Sequence, residues 1–342
     1  MGIQQRINRY RRRMKKAPLT FVRHLVQTAF LLFLVYTGIR FYLFYQHFAT
    51  FGATPYVERP PAVEGFLPIS ALVALKVWLT TGVFDTIHPA GLVLFTFFVA
   101  SGFIFRRMFC SWICPVGTVS EWVGILGRKL FKRNVDLPKW VTWFLFPLKY
   151  LLLAFFVKVI IFDMPVDAAK AFLLSPYNMI SDVKMLKFFI EISSFTLKVL
   201  IILFILSLVF RNFWCRFLCP YGALIGLGSL LGLSRVKRNE KTCIDCQQCT
   251  RVCPQRIKVS EKKSVYTPEC TACMRCVEAC PVKDTLTMNS GTKKLNKWVL
   301  PAVFFGLFFT VVITAKMTGH WQTALTYETF KVLIPWADYI GH

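Results

Sequence analysis

The chain has 342 residues, of which 55% are hydrophobic and only 17% are charged, and phenylalanine alone occurs 34 times. Soluble globular proteins are roughly 45–50% apolar and 25% charged, so this composition excludes a soluble enzyme and indicates an integral membrane protein. The 42 lysine and arginine residues against 17 acidic residues give a net charge of +25. Because the basic stretches flank apolar segments, they indicate the cytoplasmic side of a membrane. We therefore expect lipid, and not nucleic acid, as a partner.

Five apolar segments are predicted to cross the membrane, since each approaches the roughly 20 apolar residues that a spanning helix needs. They lie at about 21–44, 91–105, 144–162, 197–210 and 298–315. The second and fourth are short, and we expect them to begin earlier, near Thr86 and Ile192. The intervening segments alternate between few and many lysine and arginine residues, as the positive-inside rule requires. The sequence therefore predicts the N-terminus in the cytoplasm and the C-terminus in the periplasm, in a bacterial inner membrane.

The membrane core carries an internal repeat. The runs at 105–117 and 210–222 each follow a predicted span that enters from outside, and each contains Cys-x-x-x-Cys-Pro. Two cysteines four residues apart lie on one face of a helix, and the proline suits the first turn of a new helix. Because both copies run in the same direction, we expect a parallel repeat about an axis along the membrane normal. The four cysteines are Cys110, Cys114, Cys215 and Cys219.

Residues 236–292 are polar, charged and rich in cysteine. They contain Cys-x-x-Cys-x-x-Cys-x-x-x-Cys-Pro twice, which is the pattern of bacterial two-cluster ferredoxins: three thiolates hold one cubane and the fourth cysteine ligates the other. Zinc sites more often use paired cysteines, and disulfides are rare on a cytoplasmic face. The spacing therefore predicts two [4Fe–4S] clusters. Cluster one is assigned to Cys243, Cys246, Cys249 and Cys280, and cluster two to Cys270, Cys273, Cys276 and Cys253.

The predicted fold is an all-α polytopic membrane protein of about five transmembrane helices with a cytoplasmic, bacterial-ferredoxin-like α+β insert. The predicted domains follow the changes of composition along the chain. They are a basic cytoplasmic arm at 1–18, a four-span membrane core at 19–235, the two-cluster insert at 236–292, and the fifth span with an outer tail at 293–342.

The combination of two membrane Cys-x-x-x-Cys-Pro motifs with a two-cluster insert resembles the NapH-type membrane polyferredoxins. The C-terminal membrane part of NosR proteins and the copper-linked protein CcoG share these elements, and the resemblance covers about residues 20–315. It implies electron transfer between the quinone pool and a partner redox protein, such as a cytochrome or an iron–sulfur protein. It also implies that the eight ferredoxin cysteines are cluster ligands and that the four membrane cysteines lie beside the redox path at the inner membrane surface.

The role of the four membrane cysteines stays open at this point. Two symmetric pairs would suit a third iron–sulfur cluster, a single iron or zinc ion, or copper(I). Reduced thiols that pack a span end and a redox-active dithiol are the alternatives.

Polar residues near the predicted outer side are candidates for a quinone site. His47 and His88 fall near the outer surface, where they would bond a quinone or ligate a b-type haem, or would simply be interfacial polar residues. Arg40 and Lys158 lie in predicted spans, where charges are costly and often functional, although both are close enough to the interface to snorkel. No Cys-x-x-Cys-His sequence occurs, so no c-type haem is expected.

The favoured interpretation is a quinol dehydrogenase-like, iron–sulfur electron-transfer subunit of an oxidoreductase complex, with the terminal chemistry in a partner. One alternative is a copper or other metal reductase or assembly factor, in which the membrane cysteines bind the metal. The other is a redox-sensing regulator, in which the clusters are the sensor.

Overall fold

The computed structural model describes residues 17–132 and 137–341. The predicted basic arm at 1–18 therefore lies outside the described residues, apart from Ala17 and Pro18. The described chain is mostly helical, with one small sheet, as the predicted fold class requires.

The helices and strands follow one another with short connections. In chain order the α-helices are α1 (Pro18–Ala49), α2 (Pro68–Thr81), α3 (Pro89–Phe105), α4 (Met108–Trp112), α5 (Pro115–Phe131), α6 (Lys139–Leu145), α7 (Leu148–Val157), α8 (Val166–Leu173), α9 (Pro176–Met179), α10 (Ser181–Ile190), α11 (Ser194–Val209), α12 (Phe213–Phe217), α13 (Pro220–Leu230), α14 (Gln248–Val252), α15 (Arg275–Glu278), α16 (Val299–Met317) and α17 (Tyr327–Leu333). The strands are β1 (Ser234–Arg238), β2 (Leu286–Ser290) and β3 (Lys293–Leu295). Short 3₁₀ helices occupy Pro61–Phe66 and Val259–Glu261, and a π-helical turn at Lys158–Asp163 continues α7.

In the described part of the chain, three helical stretches are long and apolar enough to cross a membrane: Pro18–Ala49, Lys139–Asp163 and Val299–Met317. Helices α10 and α11 meet at a bend of 79° and count as a fourth if the pair is one broken span. Helix α3 is apolar but has 17 residues, which at about 1.5 Å each falls short of the roughly 30 Å hydrocarbon core. The chain is thus a multi-pass membrane protein by length and composition. The second predicted span, which corresponds to α3, and the sidedness stay predictions.

The chain divides into two compact units. Unit 1 contains Val99–Lys149, Leu203–Gly306 and the chain up to Leu32. Unit 2 contains Phe33–Phe98 and Tyr150–Ile202, together with the chain after unit 1 ends. All twelve cysteines belong to unit 1.

The sheet of unit 1 joins the beginning of the cysteine-rich insert to its end. Its three antiparallel strands follow the order β1-β2-β3, with Val236 opposite Met288 and Met288 opposite Leu295. Val236 and Met288 are 2% and 1% exposed, so these strands turn alternate side chains inward, as a half-buried sheet does. Both cysteine runs lie between β1 and β2, and the sheet therefore brings the two ends of the insert together.

The two Cys-x-x-x-Cys-Pro segments share one order of elements. A long apolar helix is followed by a short helix and then by a helix that begins with proline: α3, α4 and α5 in one copy, and α11, α12 and α13 in the other. Cys114 and Cys219 are the N-cap residues, with Pro115 and Pro220 at the first helical positions. Proline suits this position because its missing N–H has no partner there in any case.

The core of unit 2 has an aromatic part and an aliphatic part. Phe44 packs against Phe48 and Phe330, with ring centroids 5.1 Å apart in both pairs. Val73 of α2 and Ala169 of α8 belong to a second buried cluster. These contacts fix α2 and α8 to each other beside the π-helical turn.

Candidate functional site

Four cysteines of the insert line one cavity in unit 1. Its cysteine walls are Cys253, Cys270, Cys273 and Cys276. Three of these come from the second run and one from the first, and they are the set that the spacing assigns to cluster two. Most other walls are apolar, including Val236 of β1. A set of soft thiolate donors in an apolar pocket fits an iron–sulfur cluster.

Both cysteine runs share an unusual backbone. Asp245 and Gln247 in the first run, and Ala272 and Met274 in the second, have positive φ angles between 47° and 59°. Each pair flanks the second cysteine of its run. Residues other than glycine rarely adopt this conformation. Left-handed residues in a turn aim backbone N–H groups into a concavity that suits an anion such as an iron–sulfur cluster.

The cysteines assigned to cluster one lie nearer the surface. They are only half-buried, and Ile244 between the first two is 63% exposed. Burial raises the pKa of Cys249, and it raises the pKa of the more deeply buried Cys253 to about 12. Because iron binds thiolate, assembly of either cluster must release protons.

The first membrane repeat bonds to the backbone beside the cluster-two cysteines. Ser111 donates its hydroxyl hydrogen to the carbonyl of Thr271 at 2.7 Å, one residue after Cys270. Arg106 donates to the carbonyl of Thr267. The first repeat therefore holds the second cysteine run.

The second membrane repeat bonds to the other run. Arg211 Nη1 lies 3.4 Å from the carbonyl oxygen of Cys253, and Asn212 Nδ2 lies 3.4 Å from that of Pro254. Arg211 follows the fourth predicted span at the same place as Arg106 follows the second. Equivalent segments of the two repeats thus hold the two runs that together line the cavity.

Buried carboxylates add further contacts between the insert and the membrane helices. Glu121 of α5 pairs with Arg23 of α1 at 2.7 Å and with Arg275 of the insert at 2.8 Å. Burial acts to raise the pKa of Glu121, but the two guanidinium groups outweigh it and hold that pKa well below its ordinary range. Glu278 accepts hydrogen bonds from the backbone N–H groups of Leu19 and Thr20, both at 2.8 Å. It thereby caps the start of α1.

The four membrane cysteines lie beside the buried Arg107, which is 1% exposed. Arg107 Nη2 is 3.4 Å from the carbonyl oxygen of Cys215, and its charge interacts with the thiols of Cys110 and Cys219. Cys114 interacts electrostatically with Cys110 and Cys219, and Cys215 with the other three. The repeat therefore brings the four thiols into one group.

Burial raises the pKa of three of these thiols, those of Cys114, Cys215 and Cys219, and positive charge lies next to them. Burial raises the pKa of Cys114 to about 12 and that of Cys215 well above its ordinary value. Arg107 pairs with Glu269 at 3.1 Å, and Lys149 pairs with the same carboxylate. Two bases and one acid give this buried trio a net charge of +1, which favours an anionic neighbour.

The thiols do not close around a single-ion position. Across residues 17–132 and 137–341, no three His, Cys, Asp or Glu side chains are so placed that they would hold one metal ion. Four thiolates at about 2.3 Å from a zinc ion would lie roughly 3.8 Å from one another. In a cubane each thiolate binds a different iron, so its ligands lie farther apart. The cysteines of the ferredoxin runs also contain no set of three placed to hold one metal ion within the described residues.

The four quinone candidates lie in unit 2, where no hydrogen bond or ion pair of the described residues joins any two of them. Lys158 is 70% exposed at its side chain and pairs with Asp163 at 2.6 Å. Arg40 is half-buried. His47 Nε2 lies 2.8 Å from the phenol oxygen of Tyr327, and His47 Nδ1 lies against a backbone carbonyl.

His88 belongs to a buried ionic network that the sequence analysis missed. Its Nδ1 is 3.3 Å from Arg59, whose guanidinium pairs with Glu64 and Asp182 at 2.7 Å each. All four side chains belong to residues that are at most 5% exposed. The sequence did offer Arg59, which is one of only two lysine or arginine residues between the first two predicted spans. Asp182 is too distant in sequence to be recognised as its partner.

Family models match both the membrane repeats and the insert. A model described as a 4Fe-4S binding domain matches residues 87–134 and again residues 195–239. A model described as a 4Fe-4S dicluster domain matches residues 235–281. The chain therefore carries 4Fe-4S binding domains in both its membrane part and its insert.

Relatives extend the match to nearly the whole chain. YccM of Escherichia coli K12, which bears the name of an electron transport protein, is 42% identical over 315 residues, 90% of this chain and 88% of YccM. The chain belongs to the NapH-type membrane polyferredoxin family. NapH of Escherichia coli K12 is 26% identical to this polyferredoxin, and the match covers 54% of the polyferredoxin and 62% of NapH. The regulatory protein NosR of Pseudomonas aeruginosa is 26% identical over 55% of the polyferredoxin and 26% of NosR.

The resemblance that the sequence motifs predicted is thereby confirmed. No solved structure matches the chain.

Proposed function

We propose that this polyferredoxin is a membrane-bound electron-transfer subunit that links the quinone pool to a partner redox protein through two [4Fe–4S] clusters. One observation carries the proposal. Cysteines from both ferredoxin runs line a single cavity, and both membrane repeats bond to the backbone around it. A cluster that is fixed to membrane helices in this way is suited to exchange electrons with a carrier dissolved in the lipid.

The proposed ligands follow the exchange of cysteines between the two runs. Cluster two takes three cysteines of the second run and Cys253, and the shared cavity supports this set. Cluster one takes three cysteines of the first run and Cys280. The electrostatic interaction between Cys249 and Cys280 supports that set, because these two residues come from different runs.

The four membrane cysteines are proposed to hold a third redox centre. Such a centre with four thiolate ligands is anionic, and the buried Arg107 together with Lys149 would compensate its charge. Arg107 contacts both Cys215 and Glu269, and Glu269 directly precedes Cys270. A short path of bonds and hydrogen bonds therefore leads from the membrane cysteines to cluster two.

A quinone site must accept protons as well as electrons, because oxidation of a quinol releases two of each. Of the candidates Arg40, His47, His88 and Lys158, His88 fits this need best, since it lies beside the carboxylates of the Arg59 network. Lys158 fits least well, because its exposed ammonium already pairs with a carboxylate. Both ring nitrogens of His47 and of His88 have hydrogen-bond partners, so neither residue presents a free nitrogen to a b-type haem.

The proposed setting is a bacterial inner membrane, with the insert and the N-terminus in the cytoplasm and the C-terminus in the periplasm. The distribution of lysine and arginine supports this orientation. The terminal reaction is proposed to occur in a partner redox protein, such as a cytochrome or an iron–sulfur protein.

A metal reductase or assembly factor is the second candidate function. The buried thiols of the membrane repeat support it, because thiolates prefer soft ions such as copper(I). In that case the clusters would supply electrons to the bound metal.

Metal analysis of the anaerobically purified full-length protein, with EPR spectra of the reduced sample, tests the cofactor set. We expect about 12 Fe per chain, falling to about 8 Fe in a variant with Cys110→Ser and Cys215→Ser, since each [4Fe–4S] cluster holds four irons. About 8 Fe in both proteins would contradict the third iron centre and would agree with the two clusters of the insert. Stoichiometric copper beside 8 Fe would favour metal handling, and zinc with little iron would overturn the electron-transfer function.

A further inference from the structure

The two cluster sites differ in their exposure. Cys253 is 7% exposed, and Cys270 and Cys273 are 9% exposed, so three of the four cysteines assigned to cluster two are buried, whereas all four assigned to cluster one are half-buried. In the first run, Ile244 is 63% exposed and the side chain of Asp245 is 80% exposed. Electron tunnelling weakens steeply with distance, so a soluble partner has to approach the cluster whose ligands reach the surface.

Exposed bases surround the cysteines assigned to cluster one. Lys241, Arg251 and Lys283 are exposed, each within three residues of a cluster-one cysteine, and none forms an ion pair within the described part of the chain. We define the cluster-one surface by its exposed residues Lys241, Ile244, Gln247, Gln248, Arg251 and Lys283.

The acidic residues nearby are already occupied. Glu240 and Asp245 lie 3.5 Å and 3.8 Å from the guanidinium of Arg238. Asp284 pairs with Lys294. The charged side chains that remain available to a docking partner are therefore the basic ones.

We propose that the cluster-one surface docks a negatively charged, one-electron redox protein. The exposed Ile244 would form the apolar centre of the contact and the bases its polar rim, as in ordinary interfaces. The bound cluster is itself anionic, so basic residues at its edge are what allows an acidic protein to approach. The inference rests on the proposed function in requiring cluster one, but it does not depend on the quinone link.

A pair of probes that differ only in charge tests the proposal. Native cytochrome c is basic, and succinylation of its lysines makes it acidic. The full-length polyferredoxin, in nanodiscs of uncharged lipid, is reduced with dithionite, desalted and mixed with either probe in a stopped-flow instrument. One electron leaves a reduced cluster and converts one ferric haem to ferrous haem, so haem absorbance reports the rate.

We expect the succinylated probe to react at least about tenfold faster than the native probe at low salt, as electrostatic steering predicts. Added salt should remove this preference, because it screens the charges. Lys241→Glu combined with Lys283→Glu should reverse the preference. Lys331→Glu is the matched control, since Lys331 is 62% exposed at its side chain and lies in unit 2, and it should change nothing.

A faster reaction with native cytochrome c, or a preference that the double variant leaves unchanged, would overturn the proposal. So would an effect of the double variant that occurs only in nanodiscs of anionic lipid, because the bases would then bind lipid. Iron content and EPR spectra are recorded for every variant. Absence of cluster signals in the parent protein would count against the proposed function, whereas intact signals without the charge preference would count against the docking surface alone.

Discussion

Buried charged residues fix the cysteine-rich insert to the membrane helices. Glu121 is 4% exposed at its side chain, and it pairs with Arg23, which is fully buried, and with Arg275 between two cluster-two cysteines. Removal of one member of a buried ion pair leaves an uncompensated charge and is strongly destabilising. The single carboxylate of Glu121 therefore stabilises both α1 and the ligand loop.

Glu121→Gln is expected to lower the free energy of unfolding by about 3–5 kcal/mol, because it leaves the buried guanidinium of Arg23 and the half-buried guanidinium of Arg275 without their shared carboxylate. Thermal unfolding of the detergent-solubilised protein measures this. Glu328→Gln is the control, since Glu328 is 72% exposed in its pair with Lys331, and it should cost less than about 1 kcal/mol. Equal melting temperatures for the two variants would contradict this role of Glu121.

At the level of elements, the helix starts in the two repeats depend on close backbone contacts. A Cβ atom at Gly117 would lie 2.1 Å from the carbonyl oxygen of Cys110, and one at Gly222 would lie 2.4 Å from the guanidinium of Arg107. Both glycines follow the N-cap cysteine by three positions. A side chain at Gly117 would push α5 away from α4, which carries Cys110, and one at Gly222 would displace the guanidinium of Arg107.

Gly117→Ala is expected to destabilise the protein by about 1–3 kcal/mol or more, as overpacking does, and to reduce iron binding at the membrane cysteines. Gly38→Ala is the matched control, because a Cβ at Gly38 of α1 meets nothing within 4 Å and alanine favours a helix by roughly 1 kcal/mol. Unfolding and iron content are measured for both. A tolerated Gly117→Ala with full iron content would show that the close contact is unimportant.

Ser111→Ala tests the contact between the first repeat and the cluster-two loop. The change leaves the buried carbonyl of Thr271 without its donor, at a cost of about 1–3 kcal/mol. We expect the EPR signal of cluster two to shift while that of cluster one stays unchanged. Thr292→Ala, at an exposed position in the same insert, should shift neither signal, and a shift of the cluster-one signal in Ser111→Ala would argue against this contact.

For the whole molecule, most of the features that could be predicted from the sequence came from local patterns, namely apolar runs and cysteine spacing. The long apolar runs predicted helices that the structure contains, and the repeated cysteine spacing named the four residues that line the cavity. Contacts between distant residues, such as Arg59 with Asp182 or Glu278 with the start of α1, left no local pattern. The bend between α10 and α11 was also missed, because hydropathy does not report direction.

The most direct test of the central claim is reduction of the clusters by quinol. A reduced quinol is added anaerobically to the oxidised full-length protein in nanodiscs, and the clusters are followed by EPR. We predict that quinol produces the reduced cluster signals, and that a variant with Cys110→Ser and Cys215→Ser produces them at least about tenfold more slowly. If dithionite reduces the clusters but quinol never does, at any ratio of quinol to quinone, the link between the quinone pool and the clusters is contradicted.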